Sequence, residues 1–279
     1  MEKIPNLTVS IVTFRPDIEL LRQVLASLCA SVTSARQAGV LDQVDVCLVD
    51  NGPGNDWRAP LKFLADEVCG GVTGIDAKVL SGHGNVGYGR ANNLALLGAE
   101  TDYGLVLNPD VLLDAHTLTE AVAFMETHPA VVLLAPKVIG THGRIEYLCK
   151  RYPSLLDLAL RGFAPAWLRR RFDLRLAVYE MRDLPLDWTS YDIPLVSGCF
   201  MFVRMAAYRE VEGFSRDFFM YFEDFDLSLR MAQIGGTAFV PSVSVIHYGG
   251  GASRKGWRHI AMFVSSATKF FNKHGWRWV

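Results

Sequence analysis

The sequence has few cysteines and none in a useful pattern. Cys29, Cys47, Cys69, Cys149 and Cys199 are scattered, and no C-x-x-C pair occurs. An odd, dispersed set argues against both a disulfide framework and a zinc site. Net charge is nearly absent as well. The formal value is -1, which removes any global reason to expect nucleic-acid binding. No apolar run approaches the roughly 18 uncharged residues of a transmembrane helix. Only Met1 to Pro5 precede the first strand-like segment, which leaves no room for a signal peptide. These absences lead to the expectation of a cytoplasmic location, with peripheral attachment to the inner face of the cytoplasmic membrane left open.

What is present is apolar residue. Half of the 279 residues are hydrophobic, enough for one large α/β domain carrying insertions. Leu7 to Phe14 reads as a buried strand and Asp17 to Ala38 as a helix. Val44 to Val49 is a second strand that ends at Asp50, and Trp57 to Val68 is a second helix. Ala77 to Leu80, a helix over Val86 to Glu100, and the strand Tyr103 to Leu107 continue the alternation. Strands separated by helix-length segments imply crossovers and a mainly parallel sheet. After Val131 to Ala135 the pattern loosens. Tyr147 to Tyr191 shows no clear strand and reads as a helical or irregular insertion. Leu195 to Val203, Ala238 to Val240 and Val243 to His247 are further strands, Glu223 to Ile234 is a helix, and the tail is helical.

In an open parallel sheet, ligands bind beyond the carboxyl ends of the strands. Asp50 and Asp110 both follow strands. Asp50 is placed to accept hydrogen bonds from a base or ribose, although Asp50-Asn51-Gly52 is equally a favoured turn. The loop Gly82 to Gly89, with Asn85 and Gly87 at its centre, lets backbone amides approach an anion ahead of a helix N-terminus. Arg90 adds a cation for a diphosphate, but neither the P-loop nor the G-x-G-x-x-G spacing is there. Asp110, in Asn108-Pro109-Asp110, suits a hard divalent cation shared with phosphate oxygens. Glu223, Asp224 and Asp226 crowd a helix start, where acids complement the helix dipole in any protein. The aromatic run Phe218 to Phe222 before them suits a carboxylate tuned as a base. His247 closes a strand beside Gly249, Gly250 and Gly251 and is either a metal ligand or a structural histidine.

In their order, these segments resemble the family 2 glycosyltransferases of GT-A fold, in particular the bacterial rhamnosyltransferase-like branch. The resemblance spans about Val9 to Gly251. It rests on Val9 to Phe14, Val49 to Gly52, Asn85 to Asn93, Leu107 to Asp110, Ser197 to Arg204, Phe222 to Arg230 and Val245 to Tyr248. It implies one GT-A domain over residues 1–279, with a nucleotide-sugar half (1–135) and an acceptor and base half (136–279). Thr13, Asp50, Asn85, Gly87, Arg90 and Asn108 then bind the donor. Asp110 looks like the D-x-D carboxylate and His247 like its partner on a divalent Mg or Mn. Asp224 matches the general base, with Glu223 as the second choice. The branch further implies inversion at the anomeric carbon, dTDP-rhamnose as donor, and a cell-surface glycan or lipid-linked saccharide as acceptor.

Rival readings make different demands. A UDP-sugar-dependent hexosyl- or galactofuranosyltransferase shares the mechanism. A nucleotidyltransferase needs a glycine-rich basic loop after the first strand, and here Arg15-Pro16-Asp17 follows Phe14. A carbohydrate-binding protein without catalysis needs neither Asp224 nor Asp110. Two segments, Arg161 to Phe172 and Lys269 to Trp278, mix cations with aromatic residues. They read either as helices covering the core or as contacts to an anionic membrane surface.

Overall fold

Strand β1 (Leu7–Thr13) is buried along its whole length, as befits a central strand covered on both faces. It pairs in parallel with β2 (Val44–Asp50), and β3 (Ile75–Leu80) adds to β2 in the same direction. On its other side β1 pairs in parallel with β4 (Tyr103–Leu107). Helices α1 (Ile18–Gln37), α2 (Arg58–Cys69) and α3 (Tyr88–Leu96) make the crossovers. Asp17 caps α1 by accepting from the Glu19 and Leu20 amides at 3.0 and 3.1 Å. The register sets Thr13 opposite Asp50, so both stand at the carboxyl edge of the sheet. The computed structural model describes residues 3–54, 56–249 and 257–279. Gly250 and Gly251, grouped with His247 in the sequence, lie outside them.

The second half completes the sheet with reversed strands. After β4 come β5 (Val111–Leu113), α4 (Thr117–Thr127), β6 (Val131–Gly140) and β7 (Ile145–Glu146). The segment with no clear strand forms three short helices, α5 (Leu155–Phe163), α6 (Ala166–Arg171) and α7 (Asp173–Tyr179). Two-residue strands β8 (Cys149–Lys150) and β9 (Ser190–Tyr191) bound them. The strand expected over Leu195 to Val203 is broken into β10 (Leu195–Val196) and β11 (Phe200–Arg204). The break at Ser197 to Cys199 turns the Gly198 amide toward Asp224, 2.9 Å away. Helices α8 (Met205–Glu210) and α9 (Glu223–Met231) follow. The two strands expected before His247 form one bulged strand, β12 (Gly236–His247), and α10 (Trp257–His274) ends the fold.

The main sheet runs β3-β2-β1-β4-β11-β6-β12-β5. Strand β11 is antiparallel to both β4 and β6, while β6 and β12 are parallel. A mainly parallel sheet flanked by helices is therefore what forms, with one reversed strand at its centre. The apolar side chains of α1, α2 and α4 cover one face, and those of α3, α8 and α9 cover the other. A third cluster, including Leu158, Phe218, Phe222, Phe270 and Phe271, welds α5 and α10 to the start of α9. None of the described helices is long and apolar enough to cross a membrane.

Candidate active site

Thr13 and Asp50 are both buried at the sheet edge. The Thr13 hydroxyl donates to the Val49 carbonyl at 3.3 Å. Asp50 Oδ1 accepts from the Gly52 amide at 3.1 Å, so the turn reading of Asp50-Asn51-Gly52 is correct as far as that oxygen goes. Its Oδ2 is buried and has no partner among the described residues, an expensive arrangement unless a ligand donor completes it. Asn51, which sequence reasoning passed over, ties this edge to the glycine loop. It donates to Asn85 Oδ1 at 3.2 Å and accepts from the Val86 amide at 2.9 Å. Gly87 has φ 91°, and a Cβ there would lie 2.4 Å from the Phe219 carbonyl oxygen. Only glycine admits that approach. Arg90 stands apart from this group. Its Nε donates to the Arg216 carbonyl at 3.1 Å, and it lines a groove with Arg209, Arg216 and Lys273 on the outer side of α3. The assignment of Arg90 to the diphosphate site does not match that position.

Asn108 follows β4, and its backbone amide donates to Cys199 at 2.9 Å. The Tyr88 hydroxyl lies 2.8 Å from Asn108 Oδ1 and 2.7 Å from the Gly198 carbonyl. Burial pushes the Tyr88 phenol well above its ordinary range, so it keeps its one proton and donates to either oxygen in turn. Pairing of β5 with β12 sets His247 opposite Val111, which brings its Nε2 within 3.6 Å of Asp110 Oδ2. On the far side of the ring, Nδ1 is 2.7 Å from Glu146 Oε2. A carboxylate at Nδ1 fixes ring orientation and leaves Nε2 toward Asp110. Asp110 and Glu146 together raise the His247 pKa to about 9, against the opposing effect of burial. Two acids around one imidazole therefore demand a cation, either a proton or a metal. Among the described residues no group of three or more His, Cys, Asp and Glu could hold a metal alone.

The turn into α9 is strained. Tyr221 and Phe222 have φ 70° and 65°, left-handed values that cost bulky residues about 1–3 kcal/mol each. The turn buries Phe222 and Glu223 and leaves Asp224 half-buried on the wall of a cavity of about 650 Å³. Asp224 Oδ2 accepts from the Gly198 amide and Oδ1 from the Phe225 amide, both at 2.9 Å. Burial raises the Asp224 pKa, and these two amides oppose the rise by favouring the charged form. Glu223 is raised to about 8, first by burial and then by the charge on Asp224. Neighbouring carboxyls whose environments differ divide the acid and base forms between them. Near neutral pH Glu223 holds the proton and Asp224 the charge.

The folded protein thus binds a proton at Glu223 that the unfolded chain, with its ordinary value of 4.5, releases. Stability from this group falls as pH rises from that value through about 8. Glu223→Gln is expected to gain on the order of 2 kcal/mol at pH 7 to 8 and almost nothing at pH 4.5. Urea titrations at the two pH values check this, and an equal effect at both would contradict it.

A model of the family described as Glycosyl transferase family 2 matches residues 8–211, more than half of the chain. The chain belongs to that family. This glycosyltransferase is 28% identical over 198 residues to the rhamnosyltransferase WbbL of Escherichia coli K12, covering 67% of this chain and 69% of that one. It is also 28% identical over 259 residues to the N-acetylglucosaminyl-diphospho-decaprenol L-rhamnosyltransferase of Mycobacterium tuberculosis, covering 87% and 76%. Its fold is similar to that of the mannosyltransferase PcManGT from Pyrobaculum calidifontis, solved with GDP-Man and Mn2+. The TM-score is 0.62 at 16% identity, over 97% of this chain and 65% of that one. GalNAc-T7, solved with UDP, GalNAc and Mn2+, gives 0.64 at 14% identity, over 98% and 48%. The glycosyltransferase thus spans just under two thirds and about half of those two chains. Both likenesses establish the GT-A fold.

Proposed function

We propose that this glycosyltransferase transfers L-rhamnose from dTDP-rhamnose to a hydroxyl of a cell-surface glycan or lipid-linked saccharide, inverting the anomeric carbon. The observation that carries the reading is the hydrogen-bonded path from the candidate metal side to the candidate base. Asn108 and Gly198 share the Tyr88 hydroxyl, and Gly198 in turn donates to Asp224. The names of the two curated relatives support rhamnose as the sugar. A UDP-sugar remains the second reading, since Asp50 and Thr13 would meet either pyrimidine nucleotide in the same way.

In this account residues 1–135 carry the donor and 136–279 the acceptor. Asp50 Oδ2 takes a hydrogen bond from the base or ribose, and the Asn85 to Gly87 loop holds its backbone near the nucleotide. Asp110 and His247 would hold a divalent Mg or Mn, because one carboxylate and one imidazole leave room for diphosphate oxygens to complete the shell. When bound, such a cation offsets the charge that builds on the departing diphosphate. Asp224 removes the proton from the acceptor hydroxyl as that oxygen attacks the sugar. Glu223, neutral beside it, adds no second negative charge against the incoming oxygen. A binding panel of dTDP-rhamnose with several UDP- and GDP-sugars is expected to favour dTDP-rhamnose at least tenfold, in line with about 1.4 kcal/mol of discrimination. A clear preference for a UDP-sugar would keep the mechanism and reject the donor.

The acceptor half also supports a place at the membrane surface. The two basic and aromatic segments, remote in sequence, lie side by side. The Leu155 amide donates to the Arg277 carbonyl at 2.9 Å, and Phe163 stands edge-on to Phe263, 6.4 Å between centroids. Trp167 and Trp278 are largely exposed on this face. Such a surface binds anionic bilayers by charge and ring insertion together. The protein is expected to float with phosphatidylglycerol vesicles and to lose this in high salt, whereas absence of flotation would reject the contact.

A further inference from the structure

The cavity that holds Asp224 carries more positive charge and more unmet polarity than a neutral sugar needs. Lys150, on β8, is 3% exposed, yet its ammonium meets a single recorded acceptor, the Tyr147 carbonyl. Tyr179, at the end of α7, is equally buried, and its hydroxyl has no hydrogen-bond partner among the described residues. Arg161 and Arg169 stand at the opening, which continues past them into a hollow of about 310 Å³ lined also by Arg170 and Arg182. Arg161 reaches Glu180 through Nε at 3.2 Å, but the other oxygen of Glu180 is held by Arg182 at 2.7 Å. One acid is thus divided between two guanidinium groups. Arg169 has no ion-pair partner among the described residues.

An unpartnered buried hydroxyl and an under-neutralised buried ammonium are each costly, and native sites keep such groups where a ligand completes them. Their donors are of one kind. An ammonium, two guanidinium groups and a phenol can all donate to oxygens of an anion, and arginine forks match phosphate oxygens in particular.

We propose that Lys150, Arg161, Arg169 and Tyr179 form a subsite for a phosphate or diphosphate carried by the acceptor, so that the enzyme selects an anionic acceptor. The inference rests on Asp224 as the base only for the position of the attacking hydroxyl, on the same cavity wall. It also accounts for the state of Lys150, whose pKa burial and the Arg161 charge pull down to about 8. An anion joining the cavity restores the favoured charged form. The apolar side of the cavity, Leu158 and Phe263, is shared with a groove that runs to Phe163 and Trp276. A hydrocarbon attached to the phosphate has a path there.

The test uses the full chain, octyl diphosphate as probe and octyl glucoside as its uncharged control, with calorimetry in EDTA. Octyl diphosphate is expected to bind at least about tenfold tighter than octyl glucoside, as charged hydrogen bonds imply. Lys150→Met should weaken binding about tenfold or more, and Tyr179→Phe about threefold or more. Asp110→Asn, on the donor side, should leave it unchanged. Arg169→Gln changes an exposed position, so it retains the test if Lys150→Met fails to fold. Equal binding of the two probes, unchanged binding in both Lys150→Met and Arg169→Gln, or loss in Asp110→Asn would overturn the proposal. Loss of phosphatidylglycerol flotation in Lys150→Met with unchanged octyl diphosphate binding would assign the cations to a lipid headgroup and overturn it too. Nucleotide-sugar binding, measured separately, reports on the transferase reading, so the two can fail independently.

Discussion

Asp224→Asn is expected to lower the rate of sugar transfer about a thousandfold, within the range of positioned general bases, while donor affinity stays within about twofold. The substitution keeps shape and removes the charge. An amide can still accept one backbone hydrogen bond from Gly198 or Phe225, now made to the carboxylate oxygens at 2.9 Å, but it cannot take the acceptor proton. The donor side does not touch this carboxylate directly. Steady-state transfer together with donor titration separates the two effects. A loss of that size in Glu223→Gln, with Asp224→Asn nearly active, would exchange the roles of the two acids. Equal loss of donor binding would make Asp224 a structural residue.

Asp110→Asn is expected to abolish metal-dependent donor binding and to cut kcat/KM about a thousandfold or more, the several kcal/mol that Lewis-acid stabilisation supplies. Asp110 is the carboxylate that faces His247 Nε2 at 3.6 Å. Glu146→Gln leaves Asp110 in place and touches only the orientation of the ring, so a loss of about tenfold is expected there. Titration of Mn2+ in the presence of donor orders the three proteins. Equal behaviour of Asp110→Asn and wild type would remove Asp110 from the metal site.

How far the sequence alone reached follows from what its signals measure. Periodicity reports local burial, so the run from β1 to β4 and the acids at strand ends could be read directly. Tyr103–Leu107 came out at its exact bounds. Pairing between distant strands leaves no such trace. Glu146 sits on a two-residue strand in a stretch with no pattern, and only the β7-β6-β12 pairing brings it to His247. The continuous strand expected over Leu195 to Val203 is interrupted because Gly198 turns to serve Asp224, a tertiary demand that apolar runs do not record. Arg90 looked placed for a diphosphate from its position after a glycine loop. Its side chain leaves the cleft because the Arg216 carbonyl lies within reach on the other side of α3. Lys150 and Tyr179 carry no motif, and their shared cavity exists only once α5 to α7 fold against α9 and α10.

The most direct test of the account is donor consumption by the purified protein, with and without Mg2+ or Mn2+, beside Asp110→Asn. The account predicts slow hydrolysis or transfer of a nucleotide sugar that requires the divalent cation, stops in EDTA and is absent in Asp110→Asn. Consumption that ignores both the cation and Asp110 would contradict the Asp110-His247 metal site, and no interaction with any nucleotide sugar would contradict the transferase account itself.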